Sequence, residues 1–376
     1  MRHLISLLIL LLFIWLVWSY SGRNMPLEEA KAHISVIQEI NPSDSLDRNV
    51  IGIQPYMEVA DYFNQAKFAD KIRLYLIEAD RKELMGRKTI VLFPEYIGTW
   101  LVLEDEKHVL AEKETLKAAL TTMVLSNFFD FSLAYLKTSK EEHRSASALF
   151  RMKAKRMVAS YYLTFSELAK ASKIHIAAGS IILPGPTVLD GMIHVNPNGP
   201  LYNAAFVFGP DGKVIGDPIL KAFPIESELP FLMAGIPGEN STFDLPFAKT
   251  SILVCADSWY PVAYQSASIQ NAELILVPSF CTGDGAMDIL WKGYSGNPAP
   301  VGTDKNDIDK LTEGEAWEKY ALPGQILNTR AKAGLNVFLR GNLWDLGADG
   351  QPLAIYQNRL LQINPADSAG IWSLNY

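Results

Sequence analysis

The sequence predicts an α/β fold, and two observations carry that expectation. Short apolar runs that read as buried strands alternate with charge-rich stretches of helical periodicity. Three of the runs also end on a reactive residue: Leu92-Phe93-Pro94-Glu95, Ile219-Leu220-Lys221 and Ile252-Leu253-Val254-Cys255-Ala256-Asp257. Parallel α/β sheets hold their chemistry in the crevice outside the carboxyl ends of their strands. An acid, an amine and a thiol at three such ends read as a cysteine-based site.

The first element, residues 1–21, is apolar from Leu4 to Trp18 except for Ser6, with Trp15, Trp18 and Tyr20 at its far end, where amphipathic rings suit a membrane interface. A span needs roughly 17–25 apolar residues, so this segment is at the short end. A retained membrane anchor is expected, against a cleaved signal or a buried helix. Bulky Trp18 and Tyr20 before Ser21-Gly22 make a poor cleavage site. Arg2 favours an N-inside orientation, which Arg23 weakens, and in a bacterial cell that would place the body on the periplasmic or outer face. Cleavage would instead give a secreted protein.

Residues 22–48 read as a polar linker punctuated by Pro26, Pro42 and Ser43-Asp44-Ser45, and residues 49–376 as one large domain. Within it, Val50–Gln54 reads as a strand, Val59–Leu84 as a helix and Thr89–Phe93 as a second strand, an order that implies parallel pairing through a right-handed crossover. Ile174–Ile182 follows as a strand. Tyr202–Phe208 and Lys213–Gly216 read as a hairpin turning at Gly209-Pro210-Asp211-Gly212. Ser251–Val254, Leu274–Val277 and Asn336–Leu339 read as strands, and Glu315–Ala333 as broken helix. Two stretches read as additions, at about 105–165 and 283–311. The first is apolar through Leu116–Leu136, but Asn127 and Asp130 argue against a lipid span. Its apolar face is expected to pack on the domain or a partner subunit, with a lid or membrane-contacting element as the alternative. The second, rich in Gly, Pro and Asp, is placed where a loop borders a pocket.

Composition narrows the chemistry. With 376 residues, 49% of them hydrophobic, the chain can bury a large core, and a net charge of -7 argues against nucleic acid as a partner. Cys255 and Cys281 are the only cysteines, and six scattered histidines give no ligand spacing, so neither a disulfide framework, nor a metal, nor a cofactor is expected. A thiol attacks as thiolate and needs a base; Glu95 supplies one. The tetrahedral species formed on an amide or nitrile needs a fixed donor, and the Lys221 ammonium supplies that.

These segments, in register, resemble the nitrilase superfamily of carbon-nitrogen hydrolases. Phe93-Pro94-Glu95 resembles its base segment, Asn203, Gly209-Pro210-Asp211-Gly212-Lys213 and Lys221 its hairpin and lysine, and Cys255-Ala256-Asp257-Ser258-Trp259-Tyr260-Pro261 its nucleophile elbow. Ala272–Ser279, Arg330-Ala331 and Asn336 resemble its later strands and helix, so the likeness runs from about Val50 to about Gly350. The resemblance implies a four-layer αββα sandwich, at least a homodimer, and Cys255 as nucleophile, Glu95 as base and Lys221 as oxyanion stabiliser. It also implies a second glutamate soon after the lysine; Glu226 and Glu228 are both near, and Glu228 is the better candidate. Asp257 is expected to brace the elbow through backbone hydrogen bonds rather than to move protons. Trp259 stands four residues after the nucleophile, where many members have arginine. That favours an uncharged or apolar substrate group there. Trp259, Tyr260 and Cys281 are the pocket candidates, although Cys281 also reads as a packing thiol. The expected activity is hydrolysis of a small amide through a thioester. An N-acyltransferase passing the acyl group to an amine, and a silent binding protein, are the alternatives.

Overall fold

The computed structural model describes residues 1–42, 47–139 and 143–376; Ser43-Asp44-Ser45 of the linker lie outside it. Two sheets pack face to face. The first has seven strands in the order Ile34–Glu39, Ala369–Asn375, Asn49–Gln54, Thr89–Leu92, His175–Pro184, Leu201–Phe208, Val214–Leu220. The second has six: Thr242–Leu245, Ala248–Ile252, Leu274–Ser279, Ala333–Phe338, Leu353–Tyr356, Arg359–Leu360. Val50, Ile90, Leu92 and Ala177 of the first meet Ile252, Leu274, Leu276 and Leu335 of the second in one buried cluster. The approach is close enough that a Cβ on Gly52 would come within 2.6 Å of Val337 Cγ1.

Eight helices are described: α1 (Arg2–Tyr20), α2 (Gln65–Arg81), α3 (Leu116–Ser126), α4 (Phe128–Lys137), α5 (Arg144–Ser172), α6 (Pro261–Ile269), α7 (Glu313–Tyr320) and α8 (Leu322–Ile326). On the outer face of the first sheet, Phe68, Ile72 and Tyr75 of α2 and Tyr161 and Phe165 of α5 cover Ile51, Val91, Phe93 and Ile176. On the outer face of the second, Tyr264 of α6 and Leu322 and Ile326 of α8 cover Leu253, Ile275 and Val277. The layers are therefore α, β, β, α, each sheet having one face on the shared core and one under helices.

Most expected elements lie where periodicity puts them. Asn49–Gln54 pairs parallel with Thr89–Leu92 across α2, and Leu201–Phe208 turns antiparallel into Val214–Leu220, which delivers Lys221 at its end. The Val59–Leu84 helix is broken: a 3-10 turn covers Val59–Tyr62, and α2 starts after Asn64, whose side chain accepts the Lys67 N–H at 2.8 Å. The linker reading needs correction. Ile34–Glu39 is an edge strand, parallel to Ala369–Asn375, because its half-buried residues find their partner at the far end of the chain. Within the first expected addition, about 105–165, α5 runs unbroken and carries Met157, Tyr161 and Phe165 into the core.

The front of that addition meets the N-terminal helix. The chain bends by 98° between α3 and α4, at Asn127. Trp15 of α1 donates to the Leu125 carbonyl at 3.0 Å, Ser19 donates to the Ser126 carbonyl, and the Trp15 and Phe129 rings meet edge to face. Beneath them lies a buried node at Glu106, which takes Lys153 at 2.6 Å, Arg23 at 3.3 Å and the Asn127 amide at 2.9 Å. Only α3 buries apolar side chains, Ala119 and Met123; Phe128, Phe129, Leu133 and Leu136 of α4 stay exposed. Among the described residues, α1 is the one unbroken helix long and apolar enough to cross a membrane.

Candidate active site

The three reactive residues come from three strand ends and meet at one cavity of about 220 Å³. Glu95 follows Thr89–Leu92, Lys221 follows Val214–Leu220, and Cys255 opens a 3-10 turn after Ala248–Ile252. Lys221 Nζ lies 2.8 Å from Glu95 Oε1 and 2.7 Å from Glu228 Oε2. Cys255, with φ of 50°, holds the left-handed backbone that costs a non-glycine residue about 1–3 kcal/mol and is kept only where surrounding structure enforces it. Its Sγ contacts the Phe280 carbonyl at 3.8 Å and acts on the Glu95 carboxyl.

Glu228, rather than exposed Glu226, joins the cluster. Its Oε2 accepts the Ile225 N–H at 2.8 Å and its Oε1 the Tyr96 hydroxyl, so the loop after Lys221 is closed onto the lysine. Asn203 donates to Glu95 Oε1 at 2.7 Å and to Glu228 Oε1 at 3.3 Å. Asp257 Oδ1 accepts the N–H groups of Ala222 at 2.9 Å and Phe223 at 2.8 Å. It thus pins the turn of the thiol to the residues after the lysine.

Burial sets the protonation pattern. Desolvation, aided by the Glu228 charge, raises the Glu95 carboxyl, with Lys221 opposing. Desolvation pushes Lys221 down, but Glu228 and Glu95 outweigh it and hold the ammonium protonated well above the ordinary range. The Cys255 thiol is raised well above its usual value, first by burial and then by the Glu95 charge. The resting arrangement is a neutral thiol beside a carboxylate that is a stronger base than a free one. Asp257 is pushed up to about 7 by burial, against its two backbone hydrogen bonds.

Trp259, Tyr260 and Cys281 all line the cavity, and burial raises the Cys281 thiol to about 12. The 283–311 stretch does border the pocket, through Trp291, Gly293, Tyr294 and Ser295. Five contributors escape a reading by motif. Tyr96, with φ of 64°, was legible only as the neighbour of Glu95. Glu313, Trp291 and Trp317 carry no local pattern and reach the cavity by tertiary closure. Gly179 acts at a distance: with φ of 67°, a Cβ there would stand 2.0 Å from the Pro94 carbonyl oxygen, so only glycine lets its strand run against the Glu95 loop. No cluster of three or more metal-ligating side chains occurs among the described residues.

The four layers match the fold of solved amidase structures, one of which is described as belonging to the nitrilase superfamily. A cysteine-to-alanine variant of the Nesterenkonia sp. AN1 amidase, of the nitrilase superfamily, superposes with a TM-score of 0.53 at 13% identity, over 89% of this chain and 92% of that one. A second structure of that amidase, with acrylamide added at its active-site cysteine, gives 0.51 at 13% identity, over 88% and 93%. In sequence, the chain is 27% identical over 162 residues to omega-amidase NIT2 of Mus musculus, which is 40% of this chain. The match spans about half, 54%, of that relative. No family model matches the chain.

Proposed function

We propose that the protein is a nitrilase-superfamily amidase that hydrolyses a small amide through a Cys255 thioester. The observation that carries this reading is the convergence of Cys255, Glu95 and a doubly paired Lys221 on one cavity. Glu95 takes the thiol proton as Sγ attacks the amide carbon, and the electron pair displaced onto oxygen is met by the Lys221 ammonium. Ala256, second in that turn, also lines the cavity, and its N–H has no acceptor within the turn. Collapse breaks the C–N bond, Glu95 returns its proton to the leaving nitrogen, and the amine departs. Water, deprotonated by Glu95, then opens the thioester and restores the thiol. Glu228 and Asn203 position the lysine and the base.

The N-terminal helix is read as a membrane anchor, with the exposed apolar residues of α4 at the bilayer surface next to it. Intact-mass spectrometry during amide turnover tests the chemistry. An acyl adduct on Cys255 that is lost in Cys255→Ala is expected; an adduct confined to Cys281, with Cys255→Ala fully active, would falsify the reading.

A further inference from the structure

One wall of the cavity is chemically unlike the floor that holds Cys255. Trp259 lies at its centre, with ring centroids 6.0 Å from Trp291, 5.7 Å from Tyr294 and 5.0 Å from Trp317, and Tyr260 is 5.5 Å from Tyr294. All five rings line the cavity. Aromatic faces present negative potential and attract cations. The charged side chains lining the same space are Glu95, Glu228, Glu313 and Lys221, three acids against one base. Lys221 is already shared by two of the acids.

Among the described residues, the third acid has no cation partner. Glu313 opens α7 directly after its cap Thr312, and its N–H donates to the Ile289 carbonyl at 2.8 Å, which ties the helix start to the 283–311 stretch. No positive group acts on its carboxyl. Burial raises it to about 7, and the indole of Trp317 one turn along opposes this without offsetting it. A cation arriving in the cavity would favour the ionised carboxylate and pair with it.

Each class of substrate can be weighed on these facts. An anionic amide would face three carboxylates with the lysine occupied, and desolvating an unpaired charge is costly. A neutral apolar amide would satisfy the rings but leave the half-buried Glu313 carboxyl facing the cavity without a cation. A cationic amide satisfies both. The cavity, at about 220 Å³, is smaller than the roughly 300–1,000 Å³ sites of drug-sized ligands, so the molecule is small.

Resting on the amidase reading, we infer that the substrate carries a cationic nitrogen, an ammonium or alkylated ammonium, held between the Glu313 carboxylate and the aromatic wall while its amide faces Cys255. This refines the expectation drawn from Trp259: an anion is disfavoured, but a positive charge is selected rather than merely tolerated.

The test uses three amides of matched length: 5-aminopentanamide, hexanamide and glutaramate, which are cationic, neutral and anionic. Binding to full-length Cys255→Ala is measured by calorimetry and by tryptophan fluorescence. The cationic amide is expected to bind at least about tenfold tighter than either of the others. Glu313→Gln in the same background should reduce that cation-to-neutral ratio by about tenfold, and Trp291→Leu, a second probe should Glu313→Gln fold poorly, should also reduce it. Equal or weaker binding of the cationic amide, including none, or a ratio unmoved by both variants, overturns the inference. Ammonia release by the wild-type protein is scored separately. Cation-selective binding with no ammonia from any amide would sink the amidase reading and leave the binding site standing.

Discussion

Asp257 Oδ1 accepts the backbone N–H of Ala222 at 2.9 Å, and through that bond the turn bearing the nucleophile is registered against the strand end bearing the lysine. Asp257→Ala should leave this N–H and that of Phe223 buried and unpaired, costing about 1–3 kcal/mol for each. Asp257→Asn keeps an oxygen acceptor. The alanine variant should therefore lose both thermal stability and kcat, and the asparagine variant should recover most of each. Equal losses in the two would show that the carboxylate charge, not the bracing, matters.

Stability should carry a pH signature of the same residue. The folded Asp257 carboxyl sits at about 7, above its ordinary value of 3.8. Between those values the folded state holds more protons than the unfolded one, so stability should fall as pH rises from about 4 to about 7 and then level off. Denaturant titrations across that range should show a shallower decline in Asp257→Asn.

Glu95, Lys221 and Cys255 should behave as one unit. Glu95→Gln, Lys221→Met and Cys255→Ala should each lower kcat by at least about a hundredfold, with losses in double variants far short of additive. Lys221→Met should also destabilise the fold by about 3–5 kcal/mol, because it strands two buried carboxylates. Near-normal turnover in Lys221→Met would remove the lysine from the mechanism.

The activity profile should show an acid limb set by Glu95, whose carboxyl burial raises above the usual carboxylate range. Turnover should decline as pH drops through that raised value, since a protonated Glu95 cannot accept the thiol proton. Lys221, held protonated well above its ordinary range, should contribute no basic limb below it. A kcat/KM profile flat down to pH 4 would contradict the assignment of Glu95 as base.

Removal of α1 should release the protein from membranes, provided Arg23 is kept. A chain beginning at Gly22 should be soluble and folded, whereas one beginning at Met25 strips Arg23 from the buried Glu106 node and should melt at a lower temperature. Membrane sedimentation and thermal melts of the two chains decide this.

Sequence pattern made the reactive strand ends legible because each is local: an apolar run and the residue that follows it. Glu95, Lys221 and Cys255 needed no knowledge of the rest of the chain to be singled out. Ile34–Glu39 and Ala369–Asn375 were illegible for the opposite reason, as each is a strand only by virtue of a partner at the other end of the sequence. The expected bound at about 165 has no local mark, because α5 runs through it without a break in helical period. Glu313 and Trp291 were out of reach, since what makes them pocket residues is the folding of a Gly- and Pro-rich stretch over the sheet ends.

Strand Ala369–Asn375 lies between Ile34–Glu39 and Asn49–Gln54, parallel to one and antiparallel to the other. A chain made from its N-terminus therefore holds Ile34–Glu39 without its sheet neighbour until residues 369–375 have emerged, so this edge of the first sheet can close only after every site-bearing strand has been made.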